Sequence, residues 1–332
     1  MRAYRMTSWG SPPEHVEVPE PEPGPGQVLI RVAGCGLCRS DLTMRQMPKP
    51  VGERLGWRMP FTLGHETAGW VAATGPGVTG LDVGAPVALT PADSCGTCWF
   101  CLRGLDNSCP AALTGRGYGR DGGLAEFVLT GLRGVLPLAG LDPRHAGPLT
   151  DAGATAYHAV RRALPRIAPG GTVAVLGAGG LGAFAVQFLR VLTAARVVAV
   201  DIDPARLAYA ESVGAHEVQT SLDRKRLDAV LDFVGTDATI AGGLAALRPG
   251  GAFGLIGSAG GRLERPWFGS LPRDGEVYTF QGSTIADAQE VIALAEAGLI
   301  RNQVDEFAFE KAAEAYERLA AGTLTGRAVV LL

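Results

Sequence analysis

Four cysteines fall within fifteen residues, in the spacing Cys95-x2-Cys98-x2-Cys101-x7-Cys109. Thiolates at that density can close a tetrahedral shell around zinc at about 2.3 Å. Protein would fill all four positions, leaving none for water or substrate. Such a centre holds a loop in place and does no chemistry. The alternative is four unliganded thiols in a mobile loop, where they would oxidise readily.

A second constellation is Gly177-Ala178-Gly179-Gly180-Leu181-Gly182. Alone the pattern is weak, but here it follows an apolar strand and opens an apolar helix. Gly177 permits the tight turn, Gly179 lets a pyrophosphate approach the backbone, and Gly182 lets helix and strand pack closely. The helix N-terminus, at Gly180 and Leu181, favours the phosphate charge. The next strand ends at Asp201, nineteen residues after Gly182. A carboxylate there can accept hydrogen bonds from both adenosine ribose hydroxyls and repels a 2′-phosphate, which favours NAD over NADP. Arg206 has two readings, a flank for the adenine or a surface helix charge.

The third set is dispersed: Gly36-Leu37-Cys38-Arg39-Ser40-Asp41, Gly64-His65-Glu66 and Thr150-Asp151-Ala152-Gly153. A Cys, a His and an Asp can make a three-ligand zinc site with an open fourth position. Spacing alone leaves that open, because a lone histidine is more often a satisfied core residue. His15, His145, His158 and His216 keep that reading, and Cys35 reads as a small buried thiol.

The elements that must position these residues come in two styles. Up to about residue 150 the chain has short β-like runs, Val28 to Val32, Ala68 to Ala73 and Ala125 to Leu129, punctuated by Gly and Pro. Pro19 to Gly26 is a turn-laden lead-in to a strand. From Asp151 the pattern changes. A helix is expected over Ala152 to Leu164. Strand Thr172 to Leu176, helix Leu181 to Leu192, strand Val197 to Val200 and helix Pro204 to Val213 follow. Asp203 supplies an N-cap, Pro204 the first turn and Gly214 the stop. Strands at Ala229 to Val234 and Ala252 to Ile256 flank a helix over Ile240 to Leu247. Alternating βα units imply a doubly wound parallel sheet. One crossover is too short for a helix, between a strand at Glu217 to Thr220 and the strand near Ala229. The tail holds a helix, Glu310 to Ala321, and a strand, Arg327 to Leu331, expected to return to the first domain.

Taken together, these residues make the chain resemble the zinc-containing alcohol dehydrogenases of the medium-chain dehydrogenase/reductase superfamily, over essentially its whole length. It is most similar to bacterial NAD-dependent secondary-alcohol dehydrogenases, through Leu149-Thr150-Asp151-Ala152-Gly153 and Tyr157-His158-Ala159-Val160. The resemblance implies an α/β protein. A GroES-like, mostly β catalytic domain would span 1–148 and 287–332, and a Rossmann NAD-binding domain 149–286. It implies two Zn2+ per chain, a catalytic one on Cys38, His65 and Asp151 and a structural one on Cys95, Cys98, Cys101 and Cys109. Glu66 would sit close behind the catalytic metal or serve as an alternate ligand. Ser40 would pass a proton to solvent, and Asp41 would stand against His65 and fix its tautomer. Arg39 and Arg327 match contacts to the cofactor diphosphate. Thr43 and Trp57 match pocket walls, although Trp57 reads equally as a loop anchor. Thr43 also stands where some members carry a relay histidine, so the proton exit would end in water or a ribose hydroxyl. Elimination agrees on Asp151: the four-cysteine set is self-sufficient, so Cys38 and His65 need a partner from elsewhere.

The implied reaction is reversible hydride transfer between an alcohol and NAD, the metal lowering the alcohol pKa. Its rivals are a zinc enzyme of the same family acting on a polyol or a biosynthetic ketone, a zinc-free quinone or enoyl reductase, and a nucleotide-binding protein without activity. Composition limits the field further. At 332 residues, two domains are the natural expectation. A net charge of −3 with no long basic run argues against nucleic acid. No apolar run suggests a membrane span, Met1 to Gly10 does not read as a secretory signal, and clustered cysteines fit metal binding in the cytoplasm. A homodimer or homotetramer is expected from the resemblance.

Overall fold

The computed structural model describes residues 1–264 and 266–332. The chain forms two compact units, Met1–Ala154 with Ser283–Leu332, and Thr155–Gly282.

The first unit begins with β1 (Arg2–Met6), β2 (Glu14–Glu17) and β3 (Gln27–Gly36), then α1 (Arg39–Arg45) and α2 (Lys49–Arg54). It continues with β4 (Phe61–Thr62), β5 (Glu66–Thr74), β6 (Pro86–Leu89), β7 (Gly115–Arg116), β8 (Gly119–Arg120), β9 (Phe127–Gly131), β10 (Val135–Pro137) and α3 (Pro143–Ala146). Strand β3 is the spine. It is apolar on both faces and pairs antiparallel with β5 along one edge, and with β9 and the chain's last strand along the other. Val28, Ile30, Val32, Val71, Val87, Leu89 and Val128 form one core of this unit. Burying each such side chain contributes about 1.5–3 kcal/mol, which makes β3 and β5 a rigid mount for whatever hangs from their ends.

Helix α4 (Ala152–Ala163) follows. The second unit then alternates β11 (Thr172–Leu176), α5 (Gly180–Leu192), β12 (Arg196–Val200), α6 (Pro204–Ser212), β13 (Glu217–Gln219), β14 (Leu227–Asp232), α7 (Asp237–Ala246), β15 (Leu247–Leu255) and β16 (Glu276–Thr279). The sheet is wholly parallel in the order β13-β12-β11-β14-β15-β16, the doubly wound arrangement. Asp203 caps α6 by accepting Ala205 N–H at 2.8 Å, and Gly214 ends it with φ +111°. No helix joins β13 to β14 across residues 220–226. The strand expected at Ala229 to Val234 lies two residues earlier. Asp232 ends it, because its carboxylate accepts the N–H groups of Val234 and Gly235, both at 2.9 Å, and turns the chain. Helix α7 starts three residues before the expected Ile240, because Thr236 provides an N-cap to Thr239 N–H.

Back in the first unit come α8 (Ile285–Glu296), β17 (Val304–Ala308), α9 (Ala312–Ala321) and β18 (Arg327–Leu331). A short 3-10 turn over Phe309–Lys311 replaces the first turn of the expected tail helix. Among the described residues no helix is long and apolar enough to cross a membrane.

Candidate metal and dinucleotide sites

Cys38, His65, Glu66 and Asp151 arrive from three places in the first unit, and their ligand atoms lie within 4.8 Å of one another. Each is delivered by an element end. Cys38 stands at the N-cap of α1, just past β3. His65 immediately precedes β5 and Glu66 opens it, and Asp151 follows a 3-10 turn over Gly147–Thr150. Asp41 locks the first of these, its Oδ2 accepting Cys38 N–H at 3.0 Å and the Tyr316 hydroxyl at 3.3 Å. Its Oδ1 lies 3.0 Å from His65 Nδ1, which leaves Nε2 facing Asp151 Oδ2 at 3.3 Å. A carboxylate set close against Nδ1, with Nε2 turned toward the other donors, is the arrangement that suits a metal-ligating histidine.

The electrostatics point the same way. Burial alone would lower the His65 pKa, yet Asp41, Asp151 and Cys38 hold it well above the ordinary histidine value. Burial pushes Glu66 up to about 7 against the pull of Arg327. Burial would also raise Asp151, but the bond to His65 and the charges of His65 and Arg327 bring it down to about 2. Glu66 is fully buried with Oε2 lacking any partner, while Oε1 pairs with Arg327. Arg327 Nε is likewise buried and unpartnered. Thiolate, imidazole and carboxylate donors, crowded around an uncompensated buried oxygen, fit a divalent borderline-soft cation such as zinc.

Ser40 lies half-buried in the first turn of α1, and Arg39 and Thr43 are exposed on the same helix. Trp57 is 6% exposed and donates from Nε1 to Leu113 O at 3.1 Å, the behaviour of a loop anchor. Cys35 is buried and its thiol is pushed up to about 12, an inert core group. His15 packs between Tyr4 and Phe309, His145 pairs with Glu306 at 2.7 Å, and His158 packs on Phe280. His216 accepts Val197 N–H at 2.9 Å. One neighbour of the cluster escaped the sequence reading. Tyr118 sets its ring edge against His65, with centroids 6.2 Å apart and planes at 86°. Its signal was the glycine alternation around it, which marks a close-packed turn rather than a chemical group.

The four cysteines of the loop also converge. Cys95 and Cys101 Sγ are 4.0 Å apart and Cys98 and Cys109 Sγ 3.8 Å apart, too long for disulfides. Sulfurs on a zinc tetrahedron of about 2.3 Å bonds are separated by about 3.8 Å, so the set fits the ion. Backbone N–H groups aim at the sulfurs: Cys98 at Cys95 (3.3 Å), Cys95 at Cys109 (3.4 Å) and Cys101 at Cys98 (3.5 Å). Bonds from Thr97 and Cys98 lower the Cys95 thiol to about 6, whereas burial raises Cys101 to about 11.

In the second unit the glycine turn joins β11 to α5. Gly177 has φ +85°, and a Cβ there would stand 2.7 Å from Val234 Cγ2. A Cβ on Gly182 would overlap the Gly177 carbonyl oxygen, while Gly179 faces open space. Asp201 accepts Ala178 N–H at 2.8 Å and Asp203 N–H at 3.0 Å, so it braces the turn and keeps lone pairs for a further donor. Arg206 lies 3.9 Å from Asp201 and 3.5 Å from Asp203. Replacing Asp201 with Ala is expected to narrow the preference for NAD over NADP, mainly through the Michaelis constant. Steady-state rates with both cofactors check this, and a wild type favouring NADP would refute the ribose role.

Comparison with known proteins agrees with this layout. Residues 24–140 match the alcohol dehydrogenase GroES-like domain, and residues 205–330 the zinc-binding dehydrogenase domain. An NAD-dependent alcohol dehydrogenase of Sulfurisphaera tokodaii is 32% identical, covering 100% of both chains. The crystal structure of the alcohol dehydrogenase of Aeropyrum pernix superposes with a TM-score of 0.92 at 34% identity, again over 100% of both chains. The acetophenone reductase of Geotrichum candidum, solved in complex with NAD, gives 0.90 at 30% identity over 100% of this chain and 97% of that one. A doubly wound sheet with a glycine turn, joined in one chain to a mostly β unit bearing two metal-ready clusters, defines a metal-dependent dehydrogenase. The chain belongs to the zinc-containing alcohol dehydrogenases of the medium-chain dehydrogenase/reductase superfamily. Reversible oxidation of an alcohol is its reaction, with zinc and NAD as its cofactors.

Proposed function

We propose that this enzyme prefers secondary alcohols and their ketones, with catalytic zinc on Cys38, His65 and Asp151 and structural zinc on Cys95, Cys98, Cys101 and Cys109. The observation that carries the catalytic assignment is the convergence of Cys38, His65 and Asp151 within 4.8 Å, with Asp41 behind His65. Similarity to a ketone reductase, the acetophenone enzyme, supports the secondary-alcohol preference.

Zinc held by these donors supplies Lewis acidity that lowers the pKa of the alcohol. The chain's own residues do the rest. Asp41 Oδ1, 3.0 Å from His65 Nδ1, favours the tautomer with its proton on Nδ1 and leaves the Nε2 lone pair for a ligand bond. Ser40, two residues past Cys38, takes the proton of the alcohol and passes it toward water or a cofactor hydroxyl. Glu66, paired with Arg327 through Oε1 and with Oε2 buried and unpartnered, would sit close behind the ion or serve as an alternate ligand. Gly177, Gly179, Gly180, Leu181 and Gly182 seat the diphosphate, with Arg39 and Arg327 as its cationic contacts. Asp201 holds the adenosine ribose, and Arg206 flanks the adenine. Residues 1–148 and 287–332 form the catalytic domain in this reading, and 149–286 the dinucleotide domain. The enzyme works as a homodimer or homotetramer in the cytoplasm, whose reducing conditions keep zinc thiolates intact.

An NAD-coupled rate screen over primary alcohols, secondary alcohols and polyols tests the substrate class. Secondary alcohols are expected to lead in kcat/KM by about tenfold or more, the scale on which a pocket reads one carbon group. Polyols in the lead would overturn the reading. Metal analysis is expected to find two zinc ions per chain, one for each cluster. A chelator should remove the catalytic ion first, because its fourth position is open to solvent and substrate. One zinc that survives chelation with full activity would leave the Cys38 cluster without its metal.

A further inference from the structure

Between the four-cysteine loop and His65 runs a short stretch that neither centre explains. From Cys109 the chain makes a 3-10 turn over Pro110–Leu113 and enters β7 and β8. Its sequence, Gly115-Arg116-Gly117-Tyr118-Gly119, alternates glycine with two large side chains. Arg116 is the largest fully buried side chain among the described residues, 1% exposed.

Burying a guanidinium is costly unless its charge and donors are met. Here Nη1 pairs with Asp93 and donates to Thr130 Oγ1 at 2.8 Å, and Nη2 donates to Thr90 O, while Nε is buried without a partner. Thr90 and Asp93 lie on the segment that enters the four-cysteine loop, and Arg116 lies on the one that leaves it. Thr130 belongs to β9, which pairs with the spine β3. One guanidinium therefore ties both ends of the loop to the sheet built on β3. The backbone adds to the seam, with Arg116 N–H on Pro91 O at 3.2 Å and a bridge between Ala92 and Gly115.

The next residues carry this anchor to the catalytic cluster. Gly117, at φ +78°, packs so tightly that a Cβ would stand 2.5 Å from the carbonyl carbon of Gly64, the neighbour of His65. Tyr118 lies edge-on to the His65 ring and exchanges backbone hydrogen bonds with Gly115 at 3.0 and 3.1 Å.

We propose that Arg116 is a positioning residue for the alcohol reaction: from the neck of the four-cysteine loop it holds the 115–119 turn that braces His65. The proposal rests on His65 being a catalytic zinc ligand. Methionine at 116 would fill much of the space but lose all three anchors and leave Asp93 without its buried partner. The turn would then shift, and a displacement of about 1 Å at a reacting group costs about 100-fold in rate.

The test uses Arg116→Met holoenzyme, normalised to active sites by NADH titration. Alcohol kcat/KM is expected to fall about ten- to 100-fold, with NAD KM and NADH affinity within about twofold of wild type and zinc content unchanged. Cobalt(II) placed in the catalytic site should show a shifted visible spectrum, and Arg116→Lys should recover part of the rate. If the methionine variant does not fold, Thr130→Val removes a single anchor and should show the same selective loss on a smaller scale. Alcohol kcat/KM within about twofold of wild type, or equal losses in the alcohol and NAD parameters, would overturn the proposal. His65→Ala runs alongside. If it keeps metal and turnover, the ligand assignment has failed, whereas a positioning role alone fails when His65→Ala is dead and the Arg116 and Thr130 variants are normal.

Discussion

Asp151→Asn is expected to lose catalytic zinc and to turn over at least ~100-fold more slowly, while NADH binds as before. Losing a group that merely orients a metal ligand costs about 10- to 100-fold, and loss of a ligand should cost more. The substitution keeps the shape of the side chain and removes its charge. In the proposed ligand set, Cys38 thiolate and Asp151 carboxylate together would neutralise Zn2+ formally, and the His65 Nε2 that faces Asp151 at 3.3 Å would complete the donors. Asparagine leaves a net charge on the centre and a weaker donor. The glycine turn and Asp201 belong to the other compact unit, so the part of the cofactor site that they form should not register the change. Metal analysis, NADH fluorescence titration and steady-state rates read the three parts separately. Asp151→Cys should retain metal, since thiolate is an equally good zinc donor. Normal zinc content with near-normal turnover in Asp151→Asn would sink the assignment. Glu66, with its unpartnered buried oxygen, would then be the ligand.

The second large effect is on stability. Cys101→Ser should lose the structural zinc and lower the melting temperature by about 10 °C or more, since structural zinc contributes on the order of 10 kcal/mol in small domains and a few kcal/mol moves a domain this far. The buried residues of the 95–109 loop are Cys101, Asp106 and Cys109, at 6%, 5% and 3% exposed, so the loop has no apolar core of its own to hold it. Within that loop Asp106 pairs with Arg133 and accepts Ile285 N–H at 3.4 Å, at the first residue of α8. Release of the metal should therefore loosen that helix start as well as the loop. Differential scanning calorimetry and zinc analysis check this, with turnover measured at low temperature. An unchanged melting temperature with one zinc fewer per chain would show that the loop holds its shape without the ion.

The sequence by itself determined those features whose physics is local. Cys95, Cys98, Cys101 and Cys109 sit close enough along the chain that spacing already restricts them to one centre. The glycine turn, the Asp203 cap and the Gly214 stop are backbone requirements, legible from residue type and order alone. So was the missing crossover helix after Glu217–Gln219, because a seven-residue connection at 220–226 cannot hold one with its turns. The alternation of strands and helices announced the parallel sheet, whose long apolar segments leave few other solutions.

What only the tertiary structure decided depends on contacts between residues far apart in the chain. Spacing left Cys38, His65 and Asp151 as an open possibility, and the folding of α1, β5 and the 147–150 turn around β3 brings them together. The pairing of Glu66 with Arg327 spans 261 positions, and no pattern along the chain encodes it. Trp57 read equally well as a pocket wall or an anchor, and only the fold puts its indole N–H on Leu113 O. Strand ends moved for the same reason: hydrophobic runs mark where a strand is stable, but Asp232 ends β14 by bonding amides only the folded turn presents. Arg116 is the sharpest case. A charged residue in a glycine-rich stretch reads as surface, and only the meeting of Thr90, Asp93 and Thr130 around it makes its burial possible.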